Sequence, residues 1–440
     1  MSGLSLVLSA WHNPAARILN IDLLAVLIVI LLPWSTTGVA IAAMLWIVAL
    51  IPTIEPRALL RSLMRPVSLL PIAIFALALV GTLWSDAPWE ARLAAIRPVA
   101  KLLLLPLLLY HFERSRRGVW VFVAFLASCT LLMLASWLVA YVPNLSLKLY
   151  LSRGPYAPET GIVVKNYIDQ SHDFALCAMA LASPVLIFLR TNKVWLAALC
   201  AAIALGFLAN MMFVIVSRTA LVTMPVMAAV FALLHLRPRT AIAALCAAAL
   251  LAAAAWSVSP QLQATVEKFS TDYQRTAIEN KESGIGSRLL YWQRSLQFIA
   301  ESPVVGHGTG STRGLFEQAA TGEVGARGLI VGNPHNQTLA VAIQWGVLGA
   351  AMLYAMWWLH LMLFRGEGLA AWVGLMVVVQ NIFTSLFNSH LFDFHQGWLY
   401  VLGVGVAGGM ALGQQVIPGE SRDSGSRASR DAGMTDSNHP

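Results

Sequence analysis

The chain has 440 residues, of which 58% are hydrophobic and only 11% charged, with a mean hydropathy of +0.70. That is too few charges to coat a soluble fold of this length. The long apolar runs divided by short polar joints predict an all-α polytopic membrane protein, and the short alternating segments of a β-barrel are absent. The net charge of +8 does not point to nucleic acid, because the basic residues are spread over helix ends and loops and form no stripe with interleaved aromatics.

In chain order, a requirement of about 20 apolar residues per crossing predicts about twelve transmembrane helices. They lie near 18–34, 37–52, 66–84, 93–110, 118–142, 171–189, 194–216, 219–236, 240–258, 336–364, 369–388 and 397–416. The first run, Ile18 to Trp34, has no small-residue cleavage pattern after it and reads as a span, not a signal peptide. Cys129, Cys177, Cys200 and Cys246 all sit inside apolar runs and read as small packing residues, not as a disulfide framework or metal site. Residues 1–258 thus carry spans one to nine, 259–335 a large loop containing helices, 336–416 spans ten to twelve, and 417–440 a Ser-, Arg-, Asp- and Gly-rich disordered tail.

Lys and Arg alternate between joints. One set holds Arg57, Arg61 and Arg65; Arg114, Arg116 and Arg117; Arg190 and Lys193; Arg237 and Arg239; and Arg365. The intervening short joints hold almost none. The excess of positive charge on the cytoplasmic side then puts both termini in the cytoplasm, and the segments 143–170 and 259–335 outside.

Three residues on the outer side run against that rule, each at a predicted helix start. Ser217-Arg218-Thr219 breaks the run from Val194 to Leu236, with Ser217 as N-cap. Arg288 follows Gly286 and Ser287, which can cap, at the head of a helix whose Leu289, Trp292, Leu296 and Ile299 recur at helical spacing and predict an amphipathic helix lying on the membrane face or against the bundle. His335 follows Asn333 and Pro334, which read as N-cap and first helical residue of the tenth span. A cation in a first turn opposes the helix dipole unless an anion joins it, and a histidine there stays neutral and able to accept a proton. Two arginines added to helix N-termini, themselves anion sites, suit a large anion such as a pyrophosphate.

Arg97 and Lys101 lie about one to three turns inside the fourth span and are further candidates for substrate binding, because buried cations in a membrane face the bundle interior. Lys165 in the first outer loop is a weaker one. Asp393, with His390 and His395 in the last outer joint, is placed to orient His335 or an acceptor. There is no Gly-rich nucleotide loop, no His-x-x-x-His pair and no outer Asp-x-Asp, so neither a cofactor nor a metal is expected.

With these residues in view, the chain resembles the O-antigen ligase family of bacterial lipopolysaccharide synthesis over most of its length. His335-Asn336 followed by Gly346 and Gly349 looks like the family's His motif with spaced glycines, and the segments around Arg218 and Arg288 are similar to its two arginine motifs. The resemblance implies a C-type, membrane-embedded glycosyltransferase of the bacterial inner membrane with its active site facing the periplasm. It implies inverting, metal-independent and ATP-independent transfer of O-antigen polysaccharide from undecaprenyl pyrophosphate to the lipid A-core oligosaccharide. It makes His335 the catalytic base and Arg218 and Arg288 the pyrophosphate ligands, with Asn336 a candidate for substrate binding. An O-antigen polymerase or a protein O-oligosaccharyltransferase of the same superfamily differs only in acceptor. A transporter or flippase for a lipid-linked anion would instead spread its charges across the midplane, on helices broken in mid-span.

Overall fold

The computed structural model describes residues 13–142, 161–215 and 217–415. The 143–160 part of the first predicted outer loop, the predicted tail and the side chain of Arg218 lie outside what it describes. The described residues form helices and no strand. In chain order these are α1 Pro14–Leu31, α2 Thr36–Leu50, α3 Pro56–Leu63, α4 Pro66–Val80, α5 Trp89–Ala100, α6 Leu104–Phe112, α7 Gly118–Tyr141, α8 Tyr167–Arg190, α9 Val194–Phe213, α10 Arg218–His235, α11 Pro238–Val258, α12 Pro260–Ala277, α13 Gly286–Glu301, α14 Thr312–Ala319, α15 Gln337–Leu363, α16 Leu369–Thr384 and α17 Phe394–Gln415.

Eight helical stretches are long and apolar enough to cross a membrane: α1, α2 with the turn after it, α5 continued into α6, α7, α8, α9, α11 and α15. The protein is therefore a multi-pass membrane protein. The helices at the other four predicted spans do not meet that test, three of them because they are bent or short. α3 and α4 meet at a bend of 79°, where Pro66 follows Arg65 and the residue before a proline is pushed out of helical geometry. α10 contributes the apolar stretch Val222–His235, and α16 is likewise short. α17 completes the set with 22 residues.

Local signals explain most starts. Asn13 precedes Pro14 and accepts from the Ala15 N–H at 2.9 Å, Ser35 caps Gly38 N–H at 3.0 Å, and Asn166 caps Asp169 N–H at 2.9 Å. The main core joins α1, α2, α4, α6, α15, α16 and α17. α17 lies close against α6 because its glycines leave room: a Cβ on Gly409 would stand 2.7 Å from the Phe112 Cβ. The arginine-rich joints at one end of the bundle are neutralised by acids. Arg65 clasps Glu113 at 2.7 and 2.8 Å, and buried Asp22 meets His111 at 2.8 Å and Arg117 at 3.3 Å.

Within 259–335, α13 and α14 dock on α15 through Tyr291, Phe298, Phe316 and Ile343. The apolar spacing left open whether α13 lies on the membrane face or against the bundle, and it packs against the bundle. The buried stripe is Tyr291, Ser295 and Phe298, while Leu289 and Leu296 are 42% and 60% exposed. The helix is apolar on two sides, so hydrophobic spacing alone does not say which side meets the bundle.

The segment between α13 and α15 is fixed by a break in α15. Trp345 and Gly346 leave helical geometry, Gly346 with φ 59° and ψ −156°. The orphaned backbone groups pair with residues 303–308 instead: Val347 N–H with Pro303 O at 2.8 Å, His307 N–H with Ile343 O at 2.9 Å, and Gly308 N–H with Gln344 O at 2.9 Å. Thr309 then joins this segment to α4, its hydroxyl donating to Ala78 O at 2.7 Å and accepting from the Trp345 indole N–H at 2.9 Å.

Candidate active site

The start of α15 differs from the sequence expectation. Asn336, not Asn333, is the N-cap, and its Oδ1 accepts from Leu339 N–H at 3.1 Å. Asn333 is drawn elsewhere: its Oδ1 accepts the His335 backbone N–H at 2.9 Å and the Ser389 hydroxyl at 2.7 Å. His335 therefore sits ahead of the helix with φ 55°, a left-handed conformation uncommon for a non-glycine residue. The helix dipole does not set its protonation. Its pKa lies below the ordinary imidazole value because of burial first and the Arg288 charge second, while the Asn388 hydrogen bond and Asp393 pull it back up.

Six residues ahead of α17, the joint after α16 supplies the partner. Asn388 Oδ1 lies 2.9 Å from His335 Nδ1 and accepts from Asn333 Nδ2 at 2.9 Å. Asn388 Nδ2 donates to Asp393 Oδ2 at 2.7 Å, and His390 Nδ1 stands 3.1 Å from the same oxygen. Asp393 thus reaches His335 through an amide. Two further bonds hold the joint to α15: Gln337 N–H to Ser385 O at 2.9 Å, and Leu391 N–H to Gln337 Oε1 at 3.0 Å.

From the other side, α13 brings Arg288 and Tyr291, three residues apart and so on one helix face. The Tyr291 ring lies nearly parallel to the imidazole, with centroids 6.2 Å apart. Ser287 is already inside the helix, its hydroxyl accepting from Ser283 N–H at 3.1 Å, so the helix begins at Gly286, two residues earlier than a Ser287 cap would put it. Arg218 opens α10 as expected. Ser217 holds the extended N-cap conformation, but its hydroxyl makes no capping bond.

The remaining candidates divide. Lys101 is buried and gives its ammonium to the carbonyls of Phe392, at 3.1 Å, and Asp393. It braces the joint that carries Asn388. Arg97 and Lys101 both line a mostly apolar groove of about 570 Å³ with Ala43, Ile47, Phe392 and Trp398. Asn336 has its side chain committed to the cap and to Leu386 O at 3.2 Å. Lys165 belongs to a second cluster: its ammonium contacts Leu32 O and donates to His395 Nδ1 at 2.7 Å, and His395 Nε2 donates to buried Asp173 at 2.8 Å. Burial pushes the Lys165 pKa down, and Asp169 and Asp173 oppose that. His395 therefore orients Lys165 and Asp173, not His335.

Asn388 and Tyr291 are residues of this site that sequence reasoning does not single out, and Asn333 it reads only as a helix cap. The signal for Asn388 is the polar density of Asn388-Ser389-His390 in a joint between two apolar spans.

Among curated proteins none matches the chain at a significant level. Residues 203–354, which contain Arg218, Arg288, His335 and the broken stretch of α15, match the family model described as O-antigen ligase.

Proposed function

We propose that this protein is an O-antigen ligase: a membrane-embedded glycosyltransferase that moves O-antigen polysaccharide from undecaprenyl pyrophosphate to a sugar of the lipid A-core oligosaccharide on the periplasmic face of the inner membrane. The observation that carries this reading is a half-buried histidine of lowered pKa, hydrogen-bonded through Nδ1 and close enough to Arg288 to feel its charge, inside the matched segment. Neutral His335 takes the proton of an acceptor hydroxyl as its oxygen bonds to the anomeric carbon. The bond from that carbon to the pyrophosphate oxygen breaks, and the electron pair leaves with the pyrophosphate. Direct displacement inverts the anomeric centre. Arg288 and Arg218 hold the anion as its charge grows, which is the transition-state stabilisation such a reaction needs. No nucleotide is required, because a polyprenyl pyrophosphate leaves well once its charge is met.

The test mixes purified protein, undecaprenyl-pyrophosphate-linked O-antigen and rough lipopolysaccharide, with a chelator and without ATP. The expected result is capped lipopolysaccharide, and none with His335→Ala protein that inserts and melts like wild type. Elongated donor glycan would identify a polymerase, and a glycosylated protein a protein O-oligosaccharyltransferase. Movement of donor across vesicles without any new glycosidic bond would identify a transporter.

A further inference from the structure

The hydrogen bonds around His335 fix more than its position. A backbone N–H can only donate, so Asn333 turns its Oδ1 toward the His335 N–H at 2.9 Å, and its Nδ2 must then point to Asn388. A carboxylate can only accept, so Asn388 turns its Nδ2 toward Asp393 at 2.7 Å. Two independent constraints, one from each side, leave Asn388 Oδ1 facing the imidazole at 2.9 Å. That oxygen accepts only, so Nδ1 carries the proton and the lone pair sits on Nε2.

We infer that Asn388 is a positioning residue that sets the tautomer of His335, with Asp393 as the anchor that orients the Asn388 amide, and that Nε2 is the nitrogen that receives the acceptor's proton. An amide in this place has a consequence that a carboxylate would not. It holds the ring and the tautomer without placing a negative charge beside the imidazole, so the histidine stays neutral next to Arg288. Asp393 supplies orientation from one residue further away. The charged and titratable groups that face His335 are Arg288 and Tyr291 from α13, and Asp393 and His390 from the joint. This inference rests on the base role proposed for His335, yet the tautomer can be read without any turnover.

The experiment uses the full-length protein in lipid nanodiscs with ¹⁵N-labelled histidine, the His335 signals being identified as those lost in His335→Gln. A neutral imidazole protonated at Nδ1 is expected, and in Asn388→Leu the signal should move toward a mixture or the Nε2–H form. In the transfer assay Asn388→Leu should lower kcat about 10²-fold with little change in KM, the scale expected when a catalytic group is misplaced. The swap Asn388→Asp with Asp393→Asn keeps one acceptor toward His335 and one donor between the two residues, and His390 can pair with the new amide through its other tautomer. The double variant should recover activity over either single variant. Its acid limb should lie at higher pH than wild type, because a carboxylate now touches the ring and favours imidazolium. An Nε2–H signal in wild type would overturn the inference. So would wild-type kcat in Asn388→Leu, or a double variant that melts like wild type but is no better than the singles. Wild-type transfer by His335→Ala would instead overturn the base role itself, leaving the nitrogen spectrum to decide the tautomer.

Discussion

Gly346→Ala tests whether the break in α15 sets the distance between His335 and Arg288. At φ 59° and ψ −156°, Gly346 lies in a region close to one that only glycine uses freely, and a side chain there stores about 1–3 kcal/mol. The added Cβ would also stand 2.3 Å from the carbonyl carbon and oxygen of Val304 and 2.7 Å from Val305 N. These are backbone atoms of the segment whose Pro303 and Val304 carbonyls accept from Val347 and Leu348. Relief therefore requires moving that segment, at a further cost of about 1–3 kcal/mol. Together these terms predict a loss of about 2–6 kcal/mol and a fall in kcat, because the displaced segment follows directly on α13, which carries Arg288. Gly314→Ala in α14 is the matched control. Its backbone is ordinary and nothing lies within 4 Å of the added carbon, so it should be neutral or stabilising by about 0.5–1 kcal/mol. Thermal melting in detergent, followed by size-exclusion recovery, measures both. A Gly346→Ala protein that melts and turns over like wild type would refute the argument, as would equal losses from the two substitutions.

Other consequences follow from the same geometry. A base works only when unprotonated, so the lowered pKa of His335 places the acid limb of kcat/KM below the ordinary imidazole value of about 6.5. Arg288→Gln removes the second cause of that shift and should move the limb upward while weakening the donor. A limb that stays or moves down contradicts the assignment of cause. Lys101→Met should lower kcat more than it raises donor KM, because it removes the lysine's bonds to the Phe392 carbonyl and to the Asp393 carbonyl, which keeps only the Gly397 N–H, at about 1–3 kcal/mol. Arg97→Ala, which removes only a groove-lining cation, should act mainly on KM. The opposite split would make Lys101 a substrate ligand after all.

Apolar run length fixes where helices lie, because a backbone in lipid must satisfy its own hydrogen bonds and each run has one way to do so. Of the twelve predicted spans, eight correspond to stretches that, among the described residues, meet the length and composition of a crossing. Boundaries are less legible. Asn333 and Asn336 are equally good caps by residue type, and the choice is made by a competitor remote in sequence: Ser389 and the His335 N–H claim the Asn333 oxygen. The face of α13 stays open in the sequence for a related reason. Leu289 and Leu296 form a good apolar stripe, but in a membrane protein an apolar stripe can face lipid as well as protein. The hydrophobic rule that works in water therefore loses its direction.

The reactive groups are legible for a different reason. Arginine and histidine at apolar helix starts are costly unless they are used, so their presence is informative by itself. Their supports are uncharged. Asn388 costs little to keep in a joint and carries no signal until its partners on α15 are known. Asp393 is visible as a charge, yet its reach to His335 through an amide is not. The same asymmetry explains Lys101 and Lys165, both conspicuous as buried cations. Lys101 turns out to hold backbone carbonyls, and Lys165 a second histidine–aspartate pair. A buried lysine needs acceptors more than it needs a substrate, and the Phe392 and Asp393 carbonyls beside the start of α17 supply them. Charge at a helix start marks the neighbourhood of a site. Which charges meet substrate and which hold the scaffold is decided by the hydrogen-bond partners of the joint between α16 and α17, whose neutral residues set the geometry that the charged ones use.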